Sequence, residues 1–142
     1  MRLLVSACLM GVGCRYDGKS NQLPQLKELL ASHECVPACA EVFGGLPTPR
    51  VPAEIVGDRV VNREGREVTE EFTRGAREVA RLAQVTGCTA ALLKERSPSC
   101  GCGQVYDGTF TKTLVAGDGL TARALKELGL TVYGESQIEA LL

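Results

Sequence analysis

Apolar positions along this chain follow two rhythms. Short continuous apolar runs bounded by turn residues read as buried strands, and stripes repeating every three to four residues read as amphipathic helices. Residues 2 to 7 (Arg-Leu-Leu-Val-Ser-Ala) form the first such run and end against a glycine-containing loop, Leu9 to Ser20, with Gly11, Gly13 and Gly18. Leu23, Leu26, Leu29 and Leu30 then fall at helical spacing over about 21–32. Cys35 to Ala38 is a second candidate strand, followed by a long loop holding Gly44, Gly45, Pro47, Pro49 and Pro52. The segment 54–68 predicts a hairpin, with Ile55-Val56 and Val60-Val61 separated by Gly57-Asp58 and a second turn at Glu64-Gly65.

Thr69 with Glu70 and Glu71 is a helix start. Phe72, Ala76, Val79, Ala80 and Ala83 line one face of that helix as far as Gly87. Cys88 to Leu93 is another buried strand, and a loop from Arg96 to Gly103 leads to a small hairpin or turn over 105–110. Leu120, Ala124, Leu125 and Leu128 form a further helical stripe stopped by Gly129, Leu130 to Tyr133 a last strand, and Ser136 to Glu139 a capping box opening a terminal helix. Strands alternating with helices predict an α/β fold: a single three-layer, Rossmann-like domain over residues 1–142 with a mostly parallel sheet.

Ligands of such sheets bind outside the carboxyl ends of the strands. Cys8 follows the first strand and Cys39 the second. Cys100 lies in the loop after the strand that begins near Cys88. The topology therefore predicts that three cysteines distant in sequence meet at one end of the sheet.

Composition sharpens this in one respect only. Sixteen Lys plus Arg against seventeen Asp plus Glu give a net charge of −1, with no run of like charge, so nothing draws the chain to nucleic acid or an anionic membrane. Cysteine is the outlier: seven residues, at 8, 14, 35, 39, 88, 100 and 102. An odd number cannot close into disulfides without a thiol left over. The apolar run at the N-terminus is shorter than a signal-peptide core or a membrane span, so a cytoplasmic, reducing setting is expected, where thiols serve metal binding or thiol chemistry.

Three chemistries compete for this spacing. Structural zinc sites favour paired C-x2-C elements, whereas the close pairs here, Cys35/Cys39 and Cys100/Cys102, are four and two apart, and the redox C-x-x-C pair is absent. The run from Cys8 to Arg15 resembles the phosphate cradle of the cysteine phosphatases, but six residues separate the two, one more than the spacing that resemblance implies. An iron–sulfur cluster on three thiolates, one from each loop, satisfies the convergence.

Three blocks carry a resemblance to a known family: Ser6-Ala7-Cys8-Leu9-Met10-Gly11-Val12-Gly13-Cys14-Arg15-Tyr16-Asp17-Gly18, Cys39-Ala40-Glu41-Val42-Phe43-Gly44-Gly45-Leu46-Pro47-Thr48-Pro49-Arg50, and Lys94 to Gly101 with Tyr106 to Phe110. They occur in the same order as in the thiouracil desulfidases, a family once known only as a domain of unknown function, and they span nearly the whole chain. The resemblance implies an oxygen-sensitive 4Fe-4S cluster on Cys8, Cys39 and Cys100, with the fourth iron free to take sulfur from a thiolated nucleobase. Cys14 is the reserve ligand. Two departures stand out: Ala40 replaces a family proline, which is expected to loosen the loop presenting Cys39, and Cys102 adds a thiol beside Cys100.

On that resemblance, a thiolated nucleobase such as 2-thiouracil is the substrate, water the attacking group, and cluster-assembly machinery a partner. Glu41 is the expected general base and acid, since a like-charged cluster nearby raises a carboxylate's proton affinity; its alternative is a pairing with Arg50. Ser99 is expected to orient the water or the ring. Asp17 and Asp107 read as turn formers, His33 as a helix-end residue, Cys35 and Cys88 as core, and Lys94 and Arg50 as partners of nearby carboxylates. Two other classes remain open from the residues: a non-catalytic iron–sulfur or metal-binding protein, and a thiol-dependent phosphatase-like enzyme.

Overall fold

The computed structural model describes residues 1–142. Its central strands are β1 (Arg2–Ser6), β2 (Glu34–Ala38), β5 (Ala90–Leu93) and β8 (Thr131–Gly134). They form a four-stranded, wholly parallel sheet in the order β2-β1-β5-β8. The apolar runs forecast these strands because a strand buried on both faces needs no alternation. Leu3, Val5, Ala90 and Leu92 face one layer with Leu29 of α1 (Leu26–Ser32) and with Ile138 and Leu141 of the terminal helix. Leu4, Ala91 and Leu93 face the other with Val79 and Ala83 of α3 (Thr69–Thr86) and Leu125 of α4 (Leu120–Glu127). The three-layer α/β expectation holds.

Two antiparallel pairs stand outside this sheet: β3 (Ala53–Val56) with β4 (Arg59–Asn62), and β6 (Gln104–Tyr106) with β7 (Leu114–Ala116). The predicted turn at 105–110 is thus one strand and the start of a longer connection, whose return strand is short and largely exposed. A one-turn helix, α2 (Ala40–Phe43), occupies the start of the stretch expected to be loop. Backbone-to-backbone contact seats it on α3: a Cβ on Gly75 would lie 1.9 Å from the Ala40 carbonyl oxygen, and one on Gly44 1.9 Å from that of Glu71. The terminal helix is 3-10 rather than α, running from Glu135 to Leu141, and Gln137 Oε1, not Ser136, caps it by accepting the Gly134 N–H at 2.9 Å.

Candidate active site

The chain leaves β1 in one direction to reach β2 and later returns on the opposite side of β1 as β5, so β1 lies at the point where the strand order switches. Such a point opens a crevice at the carboxyl ends of the strands. A cavity of about 360 Å³ occupies this place, with Cys8, Cys14, Cys39 and Cys100 in its wall. The β3–β4 and β6–β7 pairs, with the connection that follows β6, contribute Ala53, Glu54, Tyr106 and Phe110 to the lining.

Cys8 sits in a single 3-10 turn (Ala7–Met10) directly after β1, closed by Gly11 in the left-handed region at φ 93°. The chain then doubles back, the Asn21 N–H donating to the Cys8 carbonyl at 2.8 Å and the Leu23 N–H to that of Leu9 at 2.9 Å. This return brings Cys14 to the same cavity as Cys8.

Cys39 follows β2 and is the extended residue that opens α2, at φ −126°. Two residues on, Glu41 meets Arg50: Arg50 Nε donates to Glu41 Oε1 at 2.9 Å, with the Arg50 side chain 6% and the Glu41 side chain 18% exposed. The same guanidinium donates through Nη2 to the Cys14 carbonyl at 2.8 Å and through Nη1 to the Pro47 carbonyl at 3.2 Å and Thr48 Oγ1 at 3.1 Å. Its own backbone N–H donates to the Tyr16 carbonyl at 2.8 Å. One buried arginine therefore ties the Cys14 loop, the Glu41 carboxylate and the proline-rich loop together.

Ser99 and Cys100 come from the loop after β5. Ser99 Oγ donates to Glu41 Oε2 at 2.9 Å and lies 3.2 Å from Ser97 Oγ, which in turn accepts the Cys100 N–H at 2.7 Å. The loop is held from behind by α4: the Leu120 N–H donates to the Pro98 carbonyl, and those of Thr121 and Ala122 donate to that of Ser99. Gly119 allows this close approach, since a Cβ there would lie 2.4 Å from the Ser99 carbonyl oxygen. Glu41 and Ser99, 58 residues apart, are thereby in direct contact.

The four thiols differ electrostatically. Cys39 is pulled down to about 6, chiefly because its sulfur accepts a hydrogen bond from the Cys14 thiol, helped by the Val42 N–H and Arg50 against the effect of burial. Cys14 is pushed up, first by that same bond and then by burial. Burial raises Cys8, eased by a hydrogen bond with Asn21, and pushes Cys100 up to about 12, eased by Ser6 and Ser99. No three His, Cys, Asp or Glu side chains gather tightly enough to hold a single metal ion.

Residues 3–137 match the family model for 2-thiouracil desulfurase. The chain belongs to the 2-thiouracil desulfurase family. It is 38% identical over 150 residues to the uncharacterized protein YbbK of Bacillus subtilis strain 168, covering 99% of each chain. A solved structure of the 4Fe-4S-dependent thiouracil desulfidase TudS superposes with a TM-score of 0.93 at 45% identity, covering 99% of this chain and 94% of that one.

Within this desulfurase chain, Cys8, Cys39, Cys100, Glu41 and Ser99 all line the one cavity, and Cys14 joins them. Cys102 does not: its sulfur lies 3.8 Å from the Val132 carbonyl, away from the lining. Cys88 is buried in the apolar cluster on one face of the sheet and Cys35 packs against the cluster on the other, all seven cysteines being free thiols. Asp17 and Asp107 form turns, accepting the N–H groups of Lys19 and Thr109 at 3.0 Å each. Lys94 pairs with Glu135 at 2.6 Å. His33 ends α1, but its ring contacts the N-terminal amine and the Leu141 carbonyl, joining the two ends of the chain. Ser97, Asn21 and Ser6 are site residues that the sequence pattern does not single out. Ser97 carries a signal, two residues before Ser99 in the same block, whereas Asn21 reaches Cys8 only because the loop folds back. No helix is long and apolar enough to cross a membrane.

Proposed function

We propose that this protein removes sulfur from thiolated pyrimidine bases such as 2-thiouracil, releasing the oxo base and sulfide, with a 4Fe-4S cluster held by Cys8, Cys39 and Cys100. The observation that carries the reading is the meeting of these thiols with a connected Arg50–Glu41–Ser99 chain in one cavity at the strand switch. The donor set fits the group, because soft thiolates from separate loops are the ligands iron–sulfur clusters take. The whole chain, residues 1–142, is read as one iron–sulfur desulfidase domain working in the cytoplasm, where its thiols stay reduced and cluster-assembly machinery supplies the cofactor.

Cys8, Cys39 and Cys100 would hold the cluster, which would supply Lewis acidity toward the thione sulfur. The protein's own groups supply the water chemistry. Ser99 Oγ gives its single proton to Glu41 Oε2 and accepts from Ser97 Oγ through one lone pair, so the other lone pair is available to orient a water. Glu41 takes one proton of the attacking water as the C–O bond forms and delivers it to the departing sulfur as the C–S bond breaks. The second water proton leaves the oxygen as C=O closes, so thione plus water gives oxo base plus hydrogen sulfide, the carbon keeps its oxidation state and no nicotinamide or flavin takes part. Arg50 fixes the other carboxylate oxygen, holding Glu41 in one rotamer for both transfers. The phosphatase-like alternative is disfavoured by Arg15, whose guanidinium donates to Asn21 Oδ1 at 2.7 Å and pairs with Asp17 at 3.2 Å instead of being free to clasp a phosphate over Cys8.

The test is anaerobic purification with iron and acid-labile sulfide assays and 2-thiouracil turnover. About four irons and four sulfides per chain are expected, lost in Cys8→Ala, Cys39→Ala and Cys100→Ala. Glu41→Gln is expected to keep the cluster and lose turnover by about 10² to 10⁴-fold. A Glu41→Gln variant with unchanged turnover, or a wild-type protein that binds iron but leaves 2-thiouracil intact, returns the chain to the non-catalytic carrier reading.

A further inference from the structure

Three residues other than glycine hold a left-handed backbone: Arg96 at φ 73°, Phe110 at 58° and Lys112 at 61°. All three line the cavity. An L-residue resists this region because its Cβ crowds the carbonyl oxygen, and such conformers persist only where the surroundings enforce them, commonly at ligand sites.

What enforces Phe110 is visible. Glu54, a buried carboxylate on β3, accepts the N–H groups of Gly108 at 3.0 Å and Phe110 at 3.1 Å through one oxygen. Gly108 lies against β3 so closely that a Cβ would sit 2.7 Å from the Ile55 carbonyl oxygen. Asp107 Oδ1 accepts both the N–H and the hydroxyl of Thr109, and hydroxyl contacts continue through Thr111 to Thr113. The 107–113 connection is thus a fixed loop.

Hydrophobic burial does not account for Phe110. Its ring is half-buried and packs into none of the three apolar clusters of the protein. The Arg63 guanidinium, also part of the cavity wall, lies over the ring, 6.0 Å from its centroid. A planar ring fixed at a cavity wall by a strained backbone and a buried carboxylate matches the way proteins present aromatics to nucleobases.

We infer that Phe110 is the stacking platform for the planar pyrimidine ring, and that Glu54 is the positioning residue that holds it there. This inference rests on the desulfidase reading for its choice of ligand class. It adds a specificity element: flat unsaturated rings are favoured over non-planar or acyclic thiocarbonyl compounds of similar size.

The test measures uracil binding to the cluster-loaded protein by calorimetry, alongside turnover of 2-thiouracil. Phe110→Ala is expected to weaken uracil binding by about 10-fold or more and to raise KM for 2-thiouracil with little change in kcat or in iron content. Phe110→Trp is expected to restore binding and Phe110→Leu to leave it weak. Glu54→Gln should weaken binding with iron content unchanged. Uracil binding that is equal in wild type and Phe110→Ala overturns the inference, as does recovery in Phe110→Leu or a wild-type protein that binds no uracil. If uracil binding depends on Phe110 but 2-thiouracil is not desulfurated, the platform stands and the proposed activity falls. If 2-thiouracil is turned over but binding is independent of Phe110, the activity stands and the platform falls.

Discussion

The loops after β2 and β5 each deliver a thiol to the same cavity, yet they are built on opposite plans. The segment carrying Cys39 is organised by a side chain: Arg50 reaches the Glu41 carboxylate and the Cys14, Pro47 and Thr48 oxygens. The segment carrying Cys100 is organised by backbone, its Pro98 and Ser99 carbonyls capped by the N–H groups of α4. The first plan leaves Cys39 beside a cation and a donor thiol, at about 6, and the second buries Cys100 with its proton held up to about 12. Two equivalent positions of one parallel sheet thus present thiols of opposite character, because character is set by what the following loop packs against.

The largest expected effect is in the thiols themselves. In cluster-free protein near pH 7.5, iodoacetamide should modify Cys39 about 10²-fold faster than Cys100, a figure already reduced for the lower intrinsic nucleophilicity of a low-pKa thiolate. Peptide mapping after timed quenching reads the two rates, and Cys39 labelling should fall to half near pH 6. Equal rates would remove the contrast. Stability carries the same signature with opposite signs. Folded Cys39 ionises at about 6 against an ordinary thiol value of 9.0, so it adds stability that is present above 9, shrinks as the pH falls from 9 toward 6, and is gone below 6. Folded Cys100 ionises at about 12, so its contribution is complete below 9 and is lost as the pH rises toward 12. Urea unfolding of the cluster-free protein across this range should show both limbs.

The two plans also break differently. Arg50→Met leaves the Glu41 carboxylate without its buried partner and should destabilise by about 3 kcal/mol, and combining it with Glu41→Gln should recover part of the loss. Gly119→Ala strikes the Cys100 side, where the glycine backbone at φ −67° is ordinary and the obstacle is purely steric. Overpacking there should cost about 1 to 3 kcal/mol, with no recovery from any change at Glu41. Denaturant unfolding of the two variants and the double variant checks both, and a Gly119→Ala protein as stable as wild type would show that α4 does not clamp the loop.

The central sheet is legible in the sequence because Leu3 to Val5 and Ala90 to Leu93 are buried on both faces and read as unbroken apolar runs. The long helix is legible because its stripe runs from Phe72 to Ala83 between a Thr start and the left-handed Gly87. Chain order alone then carries Cys8, Cys39 and Cys100 to one end. The features that escape sequence reasoning lack a local signature. β7 is three residues long with two of them exposed, and α2 exists because two glycines let its backbone touch α3. Glu54 acts on Phe110 across 56 residues, and no pattern near either residue encodes that contact. Arg50, Glu41 and Ser99 are each within reach of the sequence as residues, but only folding shows that Glu41 serves both of its partners at once.

The smallest expected effect concerns Ala40, which stands where the resemblance to the family calls for proline and whose presence was expected to loosen the Cys39 loop. Cys39 already adopts φ −126° and ψ 106°, close to the extended geometry a following proline imposes. Ala40 is the first helical residue of α2, a position whose N–H has no intrahelical partner and where proline's fixed φ suits the helix. The loop's geometry is therefore set by Arg50 and by the seat of α2 on Gly75, not by the residue at 40. Ala40→Pro should change stability by only about 0.5 kcal/mol, in the stabilising direction, by narrowing the unfolded chain's freedom, and should leave Cys39 labelling unchanged. A loss of more than about 1 kcal/mol in urea unfolding would mean that the buried Ala40 packs too tightly for the proline ring, and that the Cys39 side, like the Cys100 side, is governed by steric fit rather than by its arginine.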